Sequence, residues 1–209
     1  MAGSTLKTVR TVLWTLVGVA AVGAGALWYT GQSAPTTSST RLVEAPSAPY
    51  GAGDYRLVTH DGTETDASLF VGQPSMVFFG FTHCPDVCPT TLADMKHWFA
   101  ELGDEAGDLG AYFVTIDPER DTPEVLADYV GWVDDRIVGV TGEADQIEAA
   151  AKAWGVHADR IPLENGDYTM SHTASVFLLD SAGRFFGTIA YEESSETAIG
   201  KLRRLVSQG

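Results

Sequence analysis

Cys84 and Cys88 are the only two cysteines among 209 residues, and three residues separate them. The segment that contains them, THCPDVCP, follows the apolar run SMVFFGF, which predicts a buried strand. It precedes residues 91–102, where apolar side chains recur at helical spacing. Both thiols are therefore expected at the carboxyl end of a strand and near a helix N-terminus. Free backbone N–H groups there favour a thiolate and lower the cysteine pKa, which suits a nucleophile or a metal ligand.

A purely structural disulfide between these cysteines is disfavoured. Closing a loop of about five residues removes only about 2 kcal/mol of chain entropy from the unfolded state, whereas a loop of about 100 residues removes about 4.7 kcal/mol. A single pair also excludes a framework of several disulfides. We therefore expect the pair to perform chemistry, either metal binding or thiol–disulfide exchange.

Four further side chains, at different points along the chain, are candidates for a role in the site. His172 precedes a predicted strand, and a lone histidine there is more often a turn or surface residue than a ligand. For His83, beside Cys84, solvent exposure is favoured over tuning of the thiol or service as a spare ligand. Met170 shares the face of His172 if that stretch is extended, and a core or rim position is favoured over thioether coordination. Asp117 ends a predicted central strand, and an auxiliary role stays open.

Strands and helices alternate along the chain, which predicts an α/β fold. The pattern is typical of a three-layer sandwich with a mixed central sheet and an N-terminal hairpin extension. Asp121 and Glu124 are expected to cap a helix that has Pro123 at or near its first position. The strands are predicted at residues 55–58 and 68–71 (a hairpin with an Asp-Gly turn), 75–81, 111–116, 136–140, 174–179 and 184–189, and the helices at residues 91–102, 121–132, 143–154 and 196–206.

Residues 11–29 carry the sequence features of a transmembrane anchor. This run of 19 residues is uncharged and has Trp14 near its start, and roughly 20 apolar residues span a bilayer as a helix. Lys7 and Arg10 precede it, so the positive-inside rule predicts a cytoplasmic N-terminus at residues 1–10 and everything after the anchor outside. A cleaved signal peptide is the alternative, and it places the domain in the same compartment.

The rest of the chain divides into a tether and a domain. Residues 30–53 are rich in Ser, Thr, Pro, Ala and Gly, which predicts a flexible tether, and residues 54–209 are expected to form one folded domain. The whole chain has a net charge of −15. Because every acidic residue lies after the anchor, residues 30–209 repel phosphate backbones, and nucleic acid is excluded as a partner.

Four segments together resemble the Sco/SenC family of copper-binding proteins that assist cytochrome c oxidase assembly: FFGFTHCPDVCPTTL, FVTIDPERDTPEVLADYV, VGVTG and YTMSHTASVFLLD. The resemblance extends over residues 54–206. It implies a thioredoxin-like fold and a site for copper, as Cu(I) or Cu(II), in which Cys84, Cys88 and His172 are the ligands. Two thiolates and an imidazole also select copper or zinc over magnesium or calcium on chemical grounds.

The resemblance implies a copper metallochaperone that delivers copper to the dinuclear copper site of cytochrome c oxidase subunit two. The alternative is a thiol–disulfide reductase that keeps the cysteines of that site reduced, with Cys84 and Cys88 as the redox-active pair. The expected partners are oxidase subunit two, together with another periplasmic copper chaperone or a thiol reductant. The expected location is the bacterial inner membrane, crossed once, with the soluble domain in the periplasm.

Overall fold

A computed structural model describes residues 48–208 and, outside that range, Trp14. The predicted cytoplasmic segment 1–10, most of the predicted anchor 11–29 and most of the tether 30–53 lie outside the described residues. Within the part of the chain that is described, none of the helices combines the length and the apolar character required to cross a bilayer.

A seven-stranded mixed sheet forms the centre of the domain. Its strand order is β2-β1-β5-β4-β3-β8-β9, in which β3, β4 and β5 are parallel and the other neighbours pair antiparallel. A separate two-stranded sheet consists of β6 and β7. The strands are β1 Leu57–Thr59, β2 Glu64–Thr65, β3 Ser75–Gly80, β4 Gly110–Thr115, β5 Ile137–Thr141, β6 Ala158–Pro162, β7 Tyr168–His172, β8 Val176–Leu179 and β9 Phe185–Ile189, and the helices are α1 Val87–Leu102, α2 Pro123–Gly131, α3 Ala144–Ala153 and α4 Ser195–Val206.

Helices cover both faces of this sheet, which explains the continuous apolar runs of its central strands. Every residue of β3 and β4 is buried. Side chains alternate along β3, so that Gly80 lies beside Cys88 of α1 on one face, while Phe79 packs against Trp154, at the end of α3, on the other. Because connections between parallel strands are almost always right-handed, those from β3 to β4 and from β4 to β5 are expected to place α1 and α2 on the same face, and α4 packs against α1. The predicted three-layer arrangement with a mixed sheet is confirmed.

The predicted N-terminal hairpin is partly correct. Its turn is present: the Asp61 carboxylate accepts hydrogen bonds from Thr59 and Thr63, and Gly62 has a φ of 85°. The second predicted arm is wrong, because Ala67–Phe70 forms a 3₁₀ helix instead of a strand. The side chain of Asp66 caps this helix by accepting from the backbone N–H of Ser68, and the short helix lets Phe70 bury its ring against Trp154.

The predicted capping of α2 by Asp121 is also wrong. The cap is Thr122, whose hydroxyl accepts a hydrogen bond from the backbone N–H of Val125, while Pro123 takes the first helical position as expected. Asp121 is fully buried, and its carboxylate bonds to residues of other elements. Glu124 lies in the first turn of the helix, where a negative charge is favourable.

The hairpin of β6 and β7 was not predicted, because four of the five β6 residues are exposed and show no apolar alternation. The overlooked signal is the pair Asn165-Gly166, a dipeptide typical of hairpin turns, where Gly166 has a φ of 84°. As a result, His172 is the last residue of a strand, not part of a loop.

Candidate metal centre

The structure brings together Cys84, Cys88 and His172 from three separate elements. Cys84 lies in the loop after β3, Cys88 in the first turn of α1, and His172 at the end of β7. The two sulfur atoms and a ring nitrogen of the histidine lie within 4.8 Å of one another. The distance from the Cys88 sulfur to Nε2 of His172 is 3.6 Å. A single ion could therefore contact all three after small side-chain movements.

Cys84 is the more accessible of the two thiols. Its side chain is half-buried, and its backbone N–H donates to the carbonyl of Phe81 over 3.2 Å, which closes a turn at the end of β3. The Cys84 sulfur accepts a hydrogen bond from the backbone N–H of Cys88 over 3.4 Å. This hydrogen bond comes from the first turn of α1 and links the two cysteines directly.

Cys88, in contrast, is fully buried. Burial raises the pKa of its thiol, and the nearby Cys84 raises that pKa further. The sequence-based expectation of a lowered pKa is therefore wrong for Cys88, because the loss of water around the sulfur outweighs its position in the first helical turn. Without a metal, Cys88 is a protonated thiol at neutral pH.

Gly80 makes room for the Cys88 sulfur. A Cβ atom at this position would lie 2.8 Å from that sulfur and 2.6 Å from Cε2 of Phe113, closer than real Cβ contacts. The glycine that ends β3 therefore lets α1 approach the sheet closely enough to place Cys88 beside His172.

His172 presents a free nitrogen to the cysteines. Its Nδ1 lies 3.0 Å from the carbonyl oxygen of Thr173, which can only accept, so Nδ1 carries the hydrogen and Nε2 has the lone pair. The rings of Phe78 and Phe81 pack edge-on against the imidazole, at centroid distances of 6.0 Å and 5.8 Å. Burial lowers the pKa of His172, which favours the neutral form that a metal requires.

The donor set fits a thiophilic ion. Two sulfurs and one imidazole nitrogen suit copper or zinc, and no carboxylate or second imidazole of residues 48–208 joins the group. Structural zinc sites have four protein ligands, so three ligands leave one side of an ion open to an incoming group.

The remaining histidines and Met170 lie outside the group. His83 is exposed, as expected, and its Nδ1 lies 3.1 Å from the hydroxyl of Thr82. His60 accepts a hydrogen bond from the backbone N–H of Gly139. Met170 is half-buried and packs against the core, which agrees with the favoured core or rim position.

Asp121 supports the cysteine loop, a role that the sequence did not reveal. Its carboxylate accepts hydrogen bonds from both the backbone N–H and the hydroxyl of Thr82, at 3.0 Å and 2.5 Å, and from the hydroxyl of Thr115 at 2.6 Å. Thr82 lies two residues before Cys84. The buried carboxylate thus ties the start of the cysteine loop to the end of β4. In the sequence, Asp121 is marked only by its position between a central strand and a helix, and an acidic residue there is equally expected as a helix cap.

A comparison with protein families shows which family this chain belongs to. The SCO1/SenC family model matches residues 43–207. The chain belongs to the SCO1/SenC family. The bovine (Bos taurus) "Protein SCO2 homolog, mitochondrial" is 33% identical over 207 residues, which cover 97% of this chain and 76% of that protein.

Solved structures of SCO1/SenC relatives share the fold and include copper complexes. ScoI of Bradyrhizobium japonicum, solved with copper bound, is 35% identical with a TM-score of 0.67, and the match covers 74% of this chain and 98% of that one. Yeast Sco1, solved with copper bound, is 30% identical with a TM-score of 0.69, and the match covers 76% and 89%. The family prediction is confirmed, and so is the thioredoxin-like fold. The prediction of copper as the cofactor is supported at the level of the family.

Proposed function

We propose that this SCO1/SenC protein binds one copper ion through Cys84, Cys88 and His172 and delivers it to the dinuclear copper site of cytochrome c oxidase subunit two. The observation that carries the proposal is the meeting of the two sulfurs with Nε2 of His172, which approaches within 3.6 Å of the Cys88 sulfur. Two relatives, 35% and 30% identical to this chain, have been solved with copper bound. Sco proteins are also described as a family of cytochrome c oxidase assembly proteins.

The three-ligand site suits a copper ion that is bound only temporarily and then transferred to an acceptor. An ion held by three protein ligands has a free coordination position, through which a thiolate or imidazole of the acceptor could enter before a ligand of the donor leaves. Cys84 is half-buried whereas Cys88 is fully buried. We therefore propose that Cys84 is the first ligand to exchange and Cys88 the last to release the ion.

Substitution of the three ligands tests this assignment. His172→Ala, Cys84→Ser and Cys88→Ser should each weaken copper binding and remove or shift the thiolate-to-Cu(II) absorption band, and each should impair oxidase assembly in a host that depends on this gene. His83→Ala is the matched control, because His83 neighbours Cys84 but lies outside the group. The assignment is wrong if His172→Ala binds copper as tightly as the parent and still supports assembly.

A second candidate function is reduction of the acceptor's cysteines by the same pair. One observation favours it: the half-buried Cys84, whose sulfur accepts a hydrogen bond from the N–H of Cys88, lies beside the fully buried Cys88 thiol. Cys84 would attack the target disulfide, and Cys88 would then displace the reduced target, so that the pair becomes oxidised as a disulfide and a thiol reductant must restore it. Such exchange gives no reason for a histidine at position 172.

Turnover of a protein disulfide by the metal-free protein separates the two candidates. A reductase should reduce the disulfide at a steady rate in the presence of a thiol reductant, and Cys84→Ser should abolish the reaction while His172→Ala leaves it intact. A copper carrier should show no such turnover, but should exchange copper with a subunit two domain. A rate that depends on both cysteines and is indifferent to His172 would favour the reductase.

We also propose a bacterial inner-membrane protein with a single span and a periplasmic domain. The support comes from the sequence alone: the uncharged run at residues 11–29 follows Lys7 and Arg10, and the folded domain comes after it. A periplasmic position would place the candidate copper site outside the cytoplasm.

A further inference from the structure

The hairpin that carries His172 shares no strand pairing with the central sheet. β6 and β7 pair only with each other, from Ala158 opposite His172 to Pro162 opposite Tyr168, and no strand of the seven-stranded sheet pairs with either. An isolated two-stranded hairpin is at best marginally stable in water. Some other contact must therefore hold β7 against the domain if His172 is to face the cysteines.

Asp117 supplies such a contact at the far end of β7. Its side chain is almost fully buried where β4 ends, and it is not part of the candidate metal group. One carboxylate oxygen accepts a hydrogen bond from Nε of Arg120, and the other accepts one from the hydroxyl of Tyr168 at 2.7 Å. Tyr168 is the first residue of β7, and His172 is the last.

Arginine side chains complete the attachment around the Tyr168 ring. The guanidinium groups of Arg120 and Arg160 lie 3.8 Å and 3.9 Å from the ring centroid, so that they approach as cation–π partners. Arg120 also donates to the backbone carbonyl of Tyr168 over 3.1 Å, and Arg160 pairs with Glu119 at 2.6 Å. We call Asp117, Arg120 and Tyr168 the hairpin clamp.

The clamp lies where it can set the position of the histidine. An extended strand rises about 3.3 Å per residue, so the four steps from Tyr168 to His172 span roughly 13 Å of rigid backbone. A shift at the clamped end would therefore be transmitted along β7 toward the imidazole, which the rings of Phe78 and Phe81 also contact. Asp117 follows the same central strand that leads to Asp121, whose carboxylate holds the cysteine loop.

We propose that the hairpin clamp positions His172 for copper, so that Asp117, Arg120 and Tyr168 act as positioning residues and not as ligands. The proposal rests on the proposed copper function. One short segment after β4 then aligns both halves of the site: Asp121 fixes the loop of Cys84, and Asp117 fixes the strand of His172. This gives Asp117 the auxiliary role that the sequence left open.

Tyr168→Phe is the decisive variant, because it removes the hydroxyl that reaches Asp117 but keeps the ring that contacts both arginines. In the full-length protein it should raise the copper dissociation constant about tenfold, the lower end of what loss of an outer-shell partner costs. Tyr50→Phe is the matched control. It removes a tyrosine hydroxyl that bonds to the carbonyl of Trp154, away from the hairpin, and should leave copper binding unchanged.

A double-mutant cycle shows whether the effect acts through the histidine. In a His172→Ala background, Tyr168→Phe should not weaken the remaining copper binding further. A purely structural role predicts the same loss in both backgrounds, and that result would overturn the proposal. Unchanged copper affinity in the single Tyr168→Phe variant would also overturn it. Asp117→Asn should act in the same direction as Tyr168→Phe.

Amide hydrogen exchange of the metal-free protein provides a readout that does not depend on copper. Residues 169–173 should exchange faster in Tyr168→Phe than in the parent or in Tyr50→Phe. Equal exchange rates would show that the clamp does not hold the strand. If the parent itself bound no copper through sulfur, the proposed function would fail, but this measurement would still decide whether the clamp holds β7.

Discussion

The two cysteines differ in solvent exposure, and this difference assigns them different roles. Cys84 is half-buried and receives the N–H of Cys88, whereas Cys88 has no exposed surface and a raised pKa. A metal that binds the Cys88 sulfur must displace the thiol proton, and the sulfur takes up a proton from solvent when the metal leaves. Residue 88 therefore links copper occupancy to proton concentration.

Copper affinity should rise with pH as a result. The pKa of Cys88 is raised above that of an ordinary thiol, so its proton competes with copper throughout the neutral range, and this proton alone should contribute up to about tenfold in affinity per pH unit between about pH 7 and pH 9. The pKa of His172 is lowered, so its imidazole is already neutral in this window and adds no competition. Competition titrations against a copper chelator at several pH values would measure the slope. A flat profile would contradict a protonated Cys88.

Gly80→Ala should disturb both the core and the site. The added methyl would lie 2.8 Å from the Cys88 sulfur and 2.6 Å from Phe113, and overpacking of this kind costs about 1–3 kcal/mol of unfolding free energy. Copper binding should weaken as α1 moves away from the sheet. Denaturant unfolding and copper titration measure the two effects.

Gly200→Ala is the control for that substitution. Gly200 lies inside α4 with nothing within 4 Å of the added atom, so the same change should raise stability by about 0.5–1 kcal/mol and leave copper binding unchanged. Equal effects of the two variants would show that the contact of Gly80 with Cys88 is unimportant.

Among the elements, those with a strong hydrophobic period could be predicted from the sequence. Strands β3 and β4 and helices α1 and α4 lie within a few residues of their predicted bounds, because burial on one or two faces leaves a clear pattern. Hairpin β6–β7 could not be found in this way, since most of β6 faces solvent. Residues 68–71 were assigned to the wrong element, because a local cap at Asp66 outweighed the strand propensity of four residues.

For the site as well, residues marked by a local sequence pattern could be predicted, whereas residues that act through long-range contacts could not. The cysteine pair follows from its spacing after a buried strand, and His172 from the resemblance to a family. Asp121 and the hairpin clamp could not be predicted, because their partners Thr82 and Tyr168 lie 39 and 51 residues away along the chain. Only the fold makes these side chains neighbours.

An ion pair between the loop before α4 and the helix itself should have a pH-dependent effect on stability. Lys201 lies 2.6 Å from one oxygen of Glu193 and 2.8 Å from the other, and this contact lowers the pKa of Glu193. Because the folded-state pKa is below the unfolded one, the stabilisation is present above the ordinary glutamate pKa and is lost as the pH falls through the lowered value. Glu193→Gln should therefore destabilise the protein by about 1 kcal/mol near pH 7 and have little effect at strongly acidic pH.

Urea unfolding at the two pH values would test this. Glu192→Gln serves as the control, since Glu192 is exposed and forms no ion pair among residues 48–208. A destabilisation by Glu193→Gln that is equal at both pH values would indicate lost packing and not lost charge.

For the whole molecule, the sequence predicts that membrane attachment and copper binding depend on different segments of the chain. Removal of residues 1–29 should release the protein from the membrane fraction and leave copper binding by residues 54–209 unchanged, because the three candidate ligands all lie in the folded domain. Membrane fractionation and copper titration measure the two properties. Loss of copper binding on deletion would contradict this division.

N-terminal sequencing of the mature protein distinguishes the anchor from a cleaved signal peptide. An intact anchor predicts a chain that begins at or near Met1, whereas signal-peptide cleavage after the small residues Ala24-Gly25-Ala26 would leave a protein without residues 1–26. Both alternatives predict a domain outside the cytoplasm.

The separate β6–β7 sheet gives bound copper a second effect. The ion would join Cys88 and His172, which lie 84 residues apart along the chain. It would thus cross-link the hairpin to the rest of the domain, although no strand of the hairpin pairs with the central sheet. A ligand that binds only when the hairpin lies against the central sheet lowers the fraction of molecules with a detached hairpin, and this fraction falls further as the ligand concentration rises above its dissociation constant. The empty protein should therefore be cut first by a protease within residues 158–172, and copper should protect that segment while His172→Ala abolishes the protection. Loaded and empty molecules would then differ in lifetime as well as in cargo.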